Sequence, residues 1–245
     1  MINLVMPMAG AGSRFSKEGF TLPKPLIELH NEKFFHWGCL SITKYIPIIE
    51  IIFVVLQSHV DEFNIDKEIY NQFPRAKIVI IDEILNGASY SAQKAISLIE
   101  NDYPIVIADC DGMFLSSEFI HFLTNKNNYT DADGGLFTFF ATQNNFSYAK
   151  INTLGKVEEV AEKKPISNNA ICSYYFKNAQ TYLKYFKEYI QSPVPNEYYI
   201  SGIFNIMLKH KCTILPFKTD FVVSYGTPQE YLKAQDSKLF TLMKK

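Results

Sequence analysis

Short, almost uninterrupted apolar runs constrain the fold of this chain more than any other feature. Glu50–Leu56 reads EIIFVVL, and Lys77–Ile81 reads KIVII. Runs of this length, rich in β-branched residues and apolar on both faces, are typical of parallel strands that helices cover on either side. Similar runs at Ile2–Met6 and Tyr103–Ala108 predict two further strands of the same kind.

Helical patterns separate these strands. Apolar residues recur at helical spacing over Phe34–Tyr45, and Ser89–Glu100 has the same character. The alternation of strands with helices through residues 1–115 predicts an α/β fold. We expect a doubly wound, mostly parallel, Rossmann-like sheet in this part of the chain.

The second half of the chain predicts a more mixed structure. Strand-like runs occupy Gly134–Ala141 and Ala170–Phe176, and Tyr148–Glu159 has the pattern of a hairpin around Gly155. Further elements are expected at Asn178–Tyr189 (helix), Tyr199–His210 (helix), Thr213–Phe217 (strand) and Pro228–Thr241 (helix), with a loop at Ser192–Asn196. No linker composition divides the sequence, so we expect one domain over residues 1–245.

Composition excludes several classes of function. The net charge is −1, whereas nucleic acid or an anionic membrane surface would favour a basic excess. No apolar run is long enough to span a bilayer, and the N-terminus lacks the pattern of a signal peptide. Neither a disulfide framework nor a CxxC metal motif is indicated, so the cysteines predict reduced thiols in a cytoplasmic protein. They are Cys39, Cys110, Cys172 and Cys212.

A glycine-rich turn follows the first predicted strand, in the stretch MPMAGAGSRF at residues 6–15. It is not a P-loop, because Ser13 and Arg14 stand where that motif has lysine and serine or threonine. It also departs from the dinucleotide fingerprint, which has a third glycine where this chain has Phe15. A strand-to-helix turn without any ligand is the alternative interpretation of the pattern.

Two cations near this turn favour a phosphate ligand. Arg14 lies in the turn, and Lys24 stands between two prolines in LPKPLI. Proline fixes its own backbone torsion and restricts the residue before it, so the Pro23–Pro25 backbone is stiff. Glycine amides can approach a polyphosphate closely while fixed cations offset its charge.

A pair of carboxylates follows the fourth predicted strand. Asp109 and Asp111 come at its end, where ligands bind in open α/β sheets. Two carboxylates at such an edge suit a hard cation such as Mg²⁺, which also retains water and phosphate ligands. A polar turn with two solvated acids is the alternative for this pattern taken alone.

Together these motifs resemble the sugar-phosphate nucleotidyltransferase family, and most closely its branch in bacterial capsule biosynthesis. PMAGAGSRF followed by PKPLI is similar to the family signature at its N-terminus. Similar segments follow in the family's order: NGASYSAQKA (86–95), IADCDGMF (107–114), VEEVAEKKPIS (157–167), EYYISGIFNIML (197–208) and YGTPQEYLKA (225–234). The resemblance implies a nucleotide-binding half over about 1–115 and an acceptor-binding half over about 116–245.

The resemblance also implies roles for individual residues. A nucleoside triphosphate, CTP by resemblance alone, would react with a phosphorylated small-molecule acceptor and release pyrophosphate. Arg14, Lys24 and Lys163 would be the catalytic cations, and Glu162, Lys163 and Glu197 would contact the acceptor. The nucleotide would contact Met8, Ala9, Gly10, Ala11, Gly12, Ser13, Gly87, Ala88, Ser89 and Asp109.

The metal site is where this chain departs from the family pattern. The resemblance implies Mg²⁺, or Mn²⁺ in its place, with Asp111 as ligand and Asp109 beside it. Many family members have a second aspartate two residues before Gly-Thr-Pro, whereas this chain has Ser224 there. Asp220 is the nearest acidic residue before it and is a candidate replacement.

Three other functions compete with cytidylyl transfer. One is a sugar-1-phosphate nucleotidyltransferase, which would share every motif described above. Another is a catalytically silent nucleotide-binding module, which the loss of an acid at Ser224 favours. The third is a glycosyltransferase that binds a nucleotide sugar through a DxD motif, but such enzymes lack the glycine turn followed by Pro-Lys-Pro.

Overall fold

The computed structural model describes residues 1–125, 132–194 and 197–244. The strands are β1 (Ile2–Pro7), β2 (Glu28–Leu29), β3 (Glu32–Lys33), β4 (Ile48–Leu56), β5 (Lys77–Ile81), β6 (Ile105–Ala108), β7 (Gly112–Leu115), β8 (Gly134–Phe140), β9 (Ser147–Ile151), β10 (Val157–Glu162), β11 (Asn169–Phe176), β12 (Ile214–Lys218) and β13 (Phe221–Ser224). The helices are α1 (Ser13–Ser16), α2 (Phe34–Thr43), α3 (Gln57–Phe63), α4 (Ile65–Gln72), α5 (Ala88–Ile96), α6 (Ser117–Thr124), α7 (Ala179–Tyr189), α8 (Ile200–Lys209), α9 (Pro228–Gln235) and α10 (Leu239–Lys244), with a 3-10 turn at Lys24–Leu26.

The central sheet confirms the α/β prediction. Its parallel part has the order β5-β4-β1-β6, and β11 pairs antiparallel with β6 beyond it. On its other side β11 pairs antiparallel with β8, which in turn pairs parallel with β12. The first half of the chain therefore forms the parallel part of the sheet, and the second half makes it mixed.

Helices cover both faces of this sheet, which explains the apolar runs in its strands. One face packs against α5, α7 and α8, with Phe176, Tyr182 and Phe204 among its fully buried side chains. The other packs against α2, α4 and α6, with Phe35 and Phe119 in its core. No helix within the described ranges is both long and apolar enough to cross a membrane.

Two antiparallel pairs lie near the cleft side of the fold: β9–β10, which extends the main sheet beyond β11, and β7–β13, which forms a separate two-stranded sheet. β9 and β10 form the predicted hairpin, with Gly155 in the left-handed region at φ +73°. The pairing of β13 with β7 places Ser224 opposite Gly112. Sequence patterns did not predict this second pair, because each strand has only four residues and lacks a clear alternation.

The closing helix predicted at Pro228–Thr241 is wrong, since the structure has two helices there. α9 ends at Gln235, and α10 begins at Leu239. In one continuous helix, Phe240 and Met243 would point away from the side of Ala234. The break lets all three pack into one cluster around Trp37.

Other differences concern boundaries and short elements. α5 ends at Ile96 rather than continuing to Glu100, and patterns did not predict α3, α4 or α6. The loop predicted at Ser192–Asn196 lies partly outside the described residues.

The carboxyl ends of the parallel strands bring the sequence motifs together. The glycine turn follows β1, and Asp109–Asp111 follows the neighbouring β6. Helix α2 packs closely beneath this edge at Gly38, where a Cβ atom would stand 2.7 Å from the Asp109 carbonyl oxygen. Gly38 therefore allows the helix to approach the backbone that presents the two carboxylates.

Candidate functional site

A cleft of about 420 Å³ opens at this edge of the sheet. One side consists of the glycine turn, Lys24 and the Asp109–Asp111 segment. A second set of lining residues consists of Glu162, Lys163, Glu197 and Tyr199, and we name it the acceptor wall after the role that the sequence resemblance implies. The structure thus brings residues from widely separated parts of the sequence around one open space.

The glycine turn is anchored at both ends and exposed in the middle. The Met8 amide donates to the Val54 carbonyl at 2.8 Å, and Phe15 is buried against the rings of Phe34 and Tyr231. Gly10 and Ala11 are exposed between these anchors. Gly12 adopts φ +60°, a left-handed conformation that glycine accepts without a steric penalty.

Lys24 forms an ion pair with Asp111 at the floor of the cleft. Its Nζ lies 2.7 Å from Asp111 Oδ2, and both side chains are about three-quarters buried, with 27% and 24% exposed. Loss of hydration opposes both charges, yet mutual attraction and the hydrogen bond hold the pKa of Lys24 above its ordinary value. The same interactions hold the pKa of Asp111 below its ordinary value, so both groups are charged near neutral pH.

Asp109 has the opposite electrostatic environment. Its side chain is open to water in the cleft, while protein packs densely around its base. Loss of hydration and the neighbouring Asp111 charge raise the pKa of Asp109 to about 7, although Lys24 opposes the shift. Asp109 and Asp111 are therefore neighbouring carboxylates, of which only Asp111 is fully ionised at neutral pH.

These carboxylates fit a hard divalent cation. Gly226 leaves the necessary space, since a Cβ atom there would stand 2.5 Å from Asp111 Oδ2. Mg²⁺ favours one or two protein carboxylates and completes its shell with water and phosphate oxygens. Within residues 1–125, 132–194 and 197–244, no group of three or more His, Cys, Asp or Glu side chains is arranged to hold a metal. The chain itself thus offers at most a partial set of metal ligands here.

The structure places Asp220 away from Ser224, the position at which the sequence suggested that it replaces an acid. Ser224 lines a small cavity beside Asp109 and Asp111, whereas Asp220 precedes the far end of β13. The Asp220 carboxylate accepts a hydrogen bond from the Ser117 amide at 2.7 Å, at the start of α6. The length of β13 separates Asp220 from the cleft, because an extended strand rises by about 3.3 Å per residue.

On the acceptor wall, Tyr199 positions Lys163. The Lys163 ammonium donates to the Tyr199 hydroxyl and lies 4.7 Å from the centroid of that ring. Glu162 is fixed separately, because its carboxylate accepts hydrogen bonds from the Ser147 and Ser201 hydroxyls. Burial, and then the neighbouring Glu197, raise the pKa of the Tyr199 phenol well above its ordinary value. Tyr199 therefore stays protonated beside the lysine.

Ser89 does not face the cleft, which corrects its predicted contact with the nucleotide. Gly87, Ala88 and Ser91 line the cleft, whereas Ser89 is fully buried. The Ser89 hydroxyl donates to the Tyr198 carbonyl at 2.6 Å. In a helix, side chains one position apart point in different directions, so Ala88 and Ser91 can face the ligand while Ser89 cannot.

Sequence reasoning missed several cleft residues. Tyr199, Asn145, Ser91 and Gly226 all line the cleft. Gly226 lies in the Gly-Thr-Pro segment already noted, and Tyr199 follows Glu197 in another. No local pattern distinguishes Asn145, which precedes β9 and donates to the Glu230 carboxylate at 3.2 Å.

Solved structures with a similar fold include two pyrophosphorylases and a CTP transferase. A nucleoside-diphosphate-sugar pyrophosphorylase from Vibrio cholerae superposes with a TM-score of 0.82 at 23% identity, covering 96% of this chain and 100% of that chain. An inositol-1-phosphate CTP transferase from T. maritima gives 0.78 at 12% identity, covering 100% and 95%. A UDP-glucose pyrophosphorylase complexed with UDP-glucose gives 0.75 at 17% identity, covering 98% and 100%.

The chain has the nucleotidyltransferase fold. No family model matches the sequence, and no curated protein does either. Because the sequence identities are low, the similarity to these structures establishes the fold alone. The reaction that the chain catalyses depends on the residues of the cleft.

The raised pKa of Asp109 predicts a pH-dependent cost to stability. Below about pH 4 the carboxyl is protonated in both folded and unfolded chains. Between pH 4 and 7 the unfolded chain ionises first, so the free energy of unfolding falls as pH rises and the full cost is present above pH 7. Asp109→Asn should therefore stabilise the ligand-free protein more at pH 8 than at pH 5, by on the order of 1 kcal/mol because water still reaches the carboxyl.

Chemical denaturation in EDTA at both pH values measures this difference. Asp102→Asn, at an exposed position before β6, is the matched control and should show little difference between the two pH values. Equal stabilisation by Asp109→Asn at pH 5 and pH 8 would contradict the electrostatic interpretation.

Proposed function

We propose that this chain is a nucleotidyltransferase that joins a nucleoside monophosphate to a phosphorylated small-molecule acceptor and releases pyrophosphate. The observation that supports it most directly is the presence of two groups of cations in one cleft. Lys24 and Arg14 lie beside the glycine turn, and Lys163 lies on the acceptor wall. This arrangement suits a reaction in which two phosphate groups approach each other.

The glycine-turn side would hold the triphosphate. Exposed amides of Gly10, Ala11 and Ser13 can donate to phosphate oxygens, and Arg14 and Lys24 offset their charge. A divalent cation held by Asp111, with Asp109 beside it, would supply charge stabilisation on the phosphates. Asp111 also orients Lys24 through their 2.7 Å contact.

The acceptor wall would hold the second phosphate. Lys163 is available to bind it, with Tyr199 defining the position of the ammonium group. An oxygen of the acceptor phosphate attacks the α-phosphorus and forms a new P–O bond. The bond to the β-phosphate oxygen breaks, and pyrophosphate leaves with that electron pair. The attacking oxygen is already anionic, so the chain needs no general base for this step.

The specific reaction that we propose is transfer of CMP from CTP to L-glutamine phosphate, which gives CDP-L-glutamine for capsule modification. The motifs resemble the CTP:phosphoglutamine cytidylyltransferase of Campylobacter-type capsules, and this resemblance supports both substrates. The carboxylates of Glu162 and Glu197 on the acceptor wall suit the ammonium group of an amino acid. Free thiols and a nucleoside triphosphate substrate fit a cytoplasmic enzyme.

A sugar-1-phosphate nucleotidyltransferase is the second candidate. The similarity in fold to a nucleoside-diphosphate-sugar pyrophosphorylase favours it, and Glu162 and Glu197 could equally accept hydrogen bonds from sugar hydroxyls. A silent nucleotide-binding module is a further candidate, since Ser224 leaves the metal site without a second acid at that position.

Pyrophosphate release with Mg²⁺ or Mn²⁺ tests the proposed function. CTP, UTP, GTP and ATP are each combined with L-glutamine phosphate and with a panel of sugar 1-phosphates. We expect release with CTP and L-glutamine phosphate. Release only with a sugar 1-phosphate would retain the reaction class and replace the acceptor. Triphosphate binding without release for any pair would support the silent module.

Lys163 and Lys164 offer a matched pair for testing the acceptor wall. Both are exposed, but only Lys163 lines the cleft. With the acceptor that is active in the panel, Lys163→Met should raise the acceptor KM by roughly tenfold or more, because a charged hydrogen bond is lost. The KM for the nucleotide should change little.

Lys164→Met should leave both constants close to those of the unmodified chain. If Lys164→Met had the larger effect on the acceptor KM, the assignment of Lys163 would be wrong.

A further inference from the structure

Two cleft-lining segments that are distant in the sequence, one around Gly87 and one around Glu197, join at the backbone of Tyr198. The Tyr198 amide donates to the Asn86 carbonyl at 3.0 Å. The Tyr198 carbonyl accepts from the Ser89 amide at 3.1 Å and from the Ser89 hydroxyl at 2.6 Å. We name these three hydrogen bonds the Tyr198 junction.

Gly87 allows the two segments to approach this closely. It has φ +111°, and a Cβ atom there would stand 2.4 Å from the Tyr198 carbonyl oxygen. Any side chain at position 87 would push the segments apart. The close contact is therefore built into the backbone rather than left to flexible side chains.

The junction is buried and firmly supported. Ser89 is fully buried, and its carbonyl accepts a hydrogen bond from the Tyr182 hydroxyl at 2.7 Å. The Tyr198 ring meets Tyr90 and Tyr189 edge-on, and its hydroxyl donates to the Ser192 carbonyl at 3.0 Å. Displacement of either segment would therefore disturb the other.

Residues on both sides of the junction line the cleft. Gly87 and Ala88 adjoin Ser89, and Glu197 and Tyr199 adjoin Tyr198. Tyr199 in turn accepts the hydrogen bond from Lys163. A continuous series of contacts thus links the segment at residues 87–88 to the cation on the acceptor wall.

We propose that Ser89 is a positioning residue that couples nucleotide binding at residues 87–88 to the order of the acceptor wall. This inference rests on the proposed function and adds to it a route between the two substrate sites. A nucleotide that packs on Gly87 and Ala88 restricts their motion, and the Tyr198 junction passes that restriction to Glu197 and Tyr199. Lys163 is then held ready for the acceptor phosphate, and nucleotide binding favours acceptor binding.

Amide hydrogen exchange tests the coupling without relying on turnover. In the unmodified protein, saturating CTP with Mg²⁺ should slow exchange over residues 197–203 by about fivefold, a change that corresponds to roughly one hydrogen bond. Ser89→Ala keeps the amide bond to Tyr198 but loses the hydroxyl bond. We expect it to lose most of this slowing while its Kd for CTP stays within about twofold of the original.

Ser116→Ala is the control for the general effect of removing a buried hydroxyl. Ser116 is also buried, and its hydroxyl donates to the Lys218 carbonyl at 2.8 Å, away from the cleft. This variant should respond to CTP as the unmodified protein does. In steady-state assays at saturating CTP, Ser89→Ala should raise the acceptor KM.

The possible outcomes separate the inference from the proposed function. Full slowing of exchange in Ser89→Ala would overturn the positioning role, as would a proportional loss of CTP affinity, which would indicate direct contact. If the unmodified protein bound none of the four nucleotides, the proposed function would fail instead. The ligand-free comparison still tests the junction: exchange over residues 197–203 must be faster in Ser89→Ala than in Ser116→Ala.

Discussion

The ion pair between Lys24 and Asp111 is the interaction on which the arrangement of the cleft depends. It joins the stiff Pro23–Pro25 segment to the end of β6 and closes the floor of the cleft. Two charges at this depth are stable only because each satisfies the other. Asp109 forms no such ion pair with the residues that the structure describes, and loss of hydration together with the Asp111 charge raises its pKa to about 7.

This pair also explains how one site can bind both an anionic triphosphate and a divalent cation. In the proposed reaction a triphosphate brings negative charge to Lys24, while a divalent cation brings positive charge to Asp111. Each incoming group replaces part of the attraction that the ion pair supplies in the empty cleft. The backbone around both residues is constrained by prolines and by the close approach of Gly38, so the charges need little rearrangement when ligands bind.

The parallel half of the fold could be predicted because burial on both faces leaves a direct pattern in the sequence. β5 begins and ends where KIVII predicts, and the β9–β10 hairpin surrounds Gly155. The split between α9 and α10 could not be predicted, since it depends on packing around Trp37 in a distant helix. β7 and β13 were missed because four residues are too few for a reliable alternation.

In the cleft, too, the positions of the motifs could be predicted from local sequence, whereas contacts with distant residues could not. The glycine turn, Lys24 and Asp111 line one cleft at the carboxyl ends of the parallel strands. The rule that ligands bind at this edge of open α/β sheets predicts such a grouping. The direction in which an individual side chain points was harder to predict from the sequence. The Ser89 side chain points into the protein because its hydroxyl donates a hydrogen bond to the Tyr198 carbonyl, 109 positions later in the chain. Asp220 similarly pairs with the Ser117 amide, although its position in the sequence suggested the metal site.

Equilibrium dialysis of CTP, with and without Mg²⁺, is the most direct test of the central claim that Asp111 and Lys24 form a nucleotide and metal site. The Asp111 carboxylate should repel a free triphosphate and attract a metal-bound one. We expect Mg²⁺ to strengthen CTP binding by roughly tenfold or more in the unmodified protein and to have little effect in Asp111→Asn. Equal dependence on Mg²⁺ in the two proteins would show that Asp111 does not hold the metal.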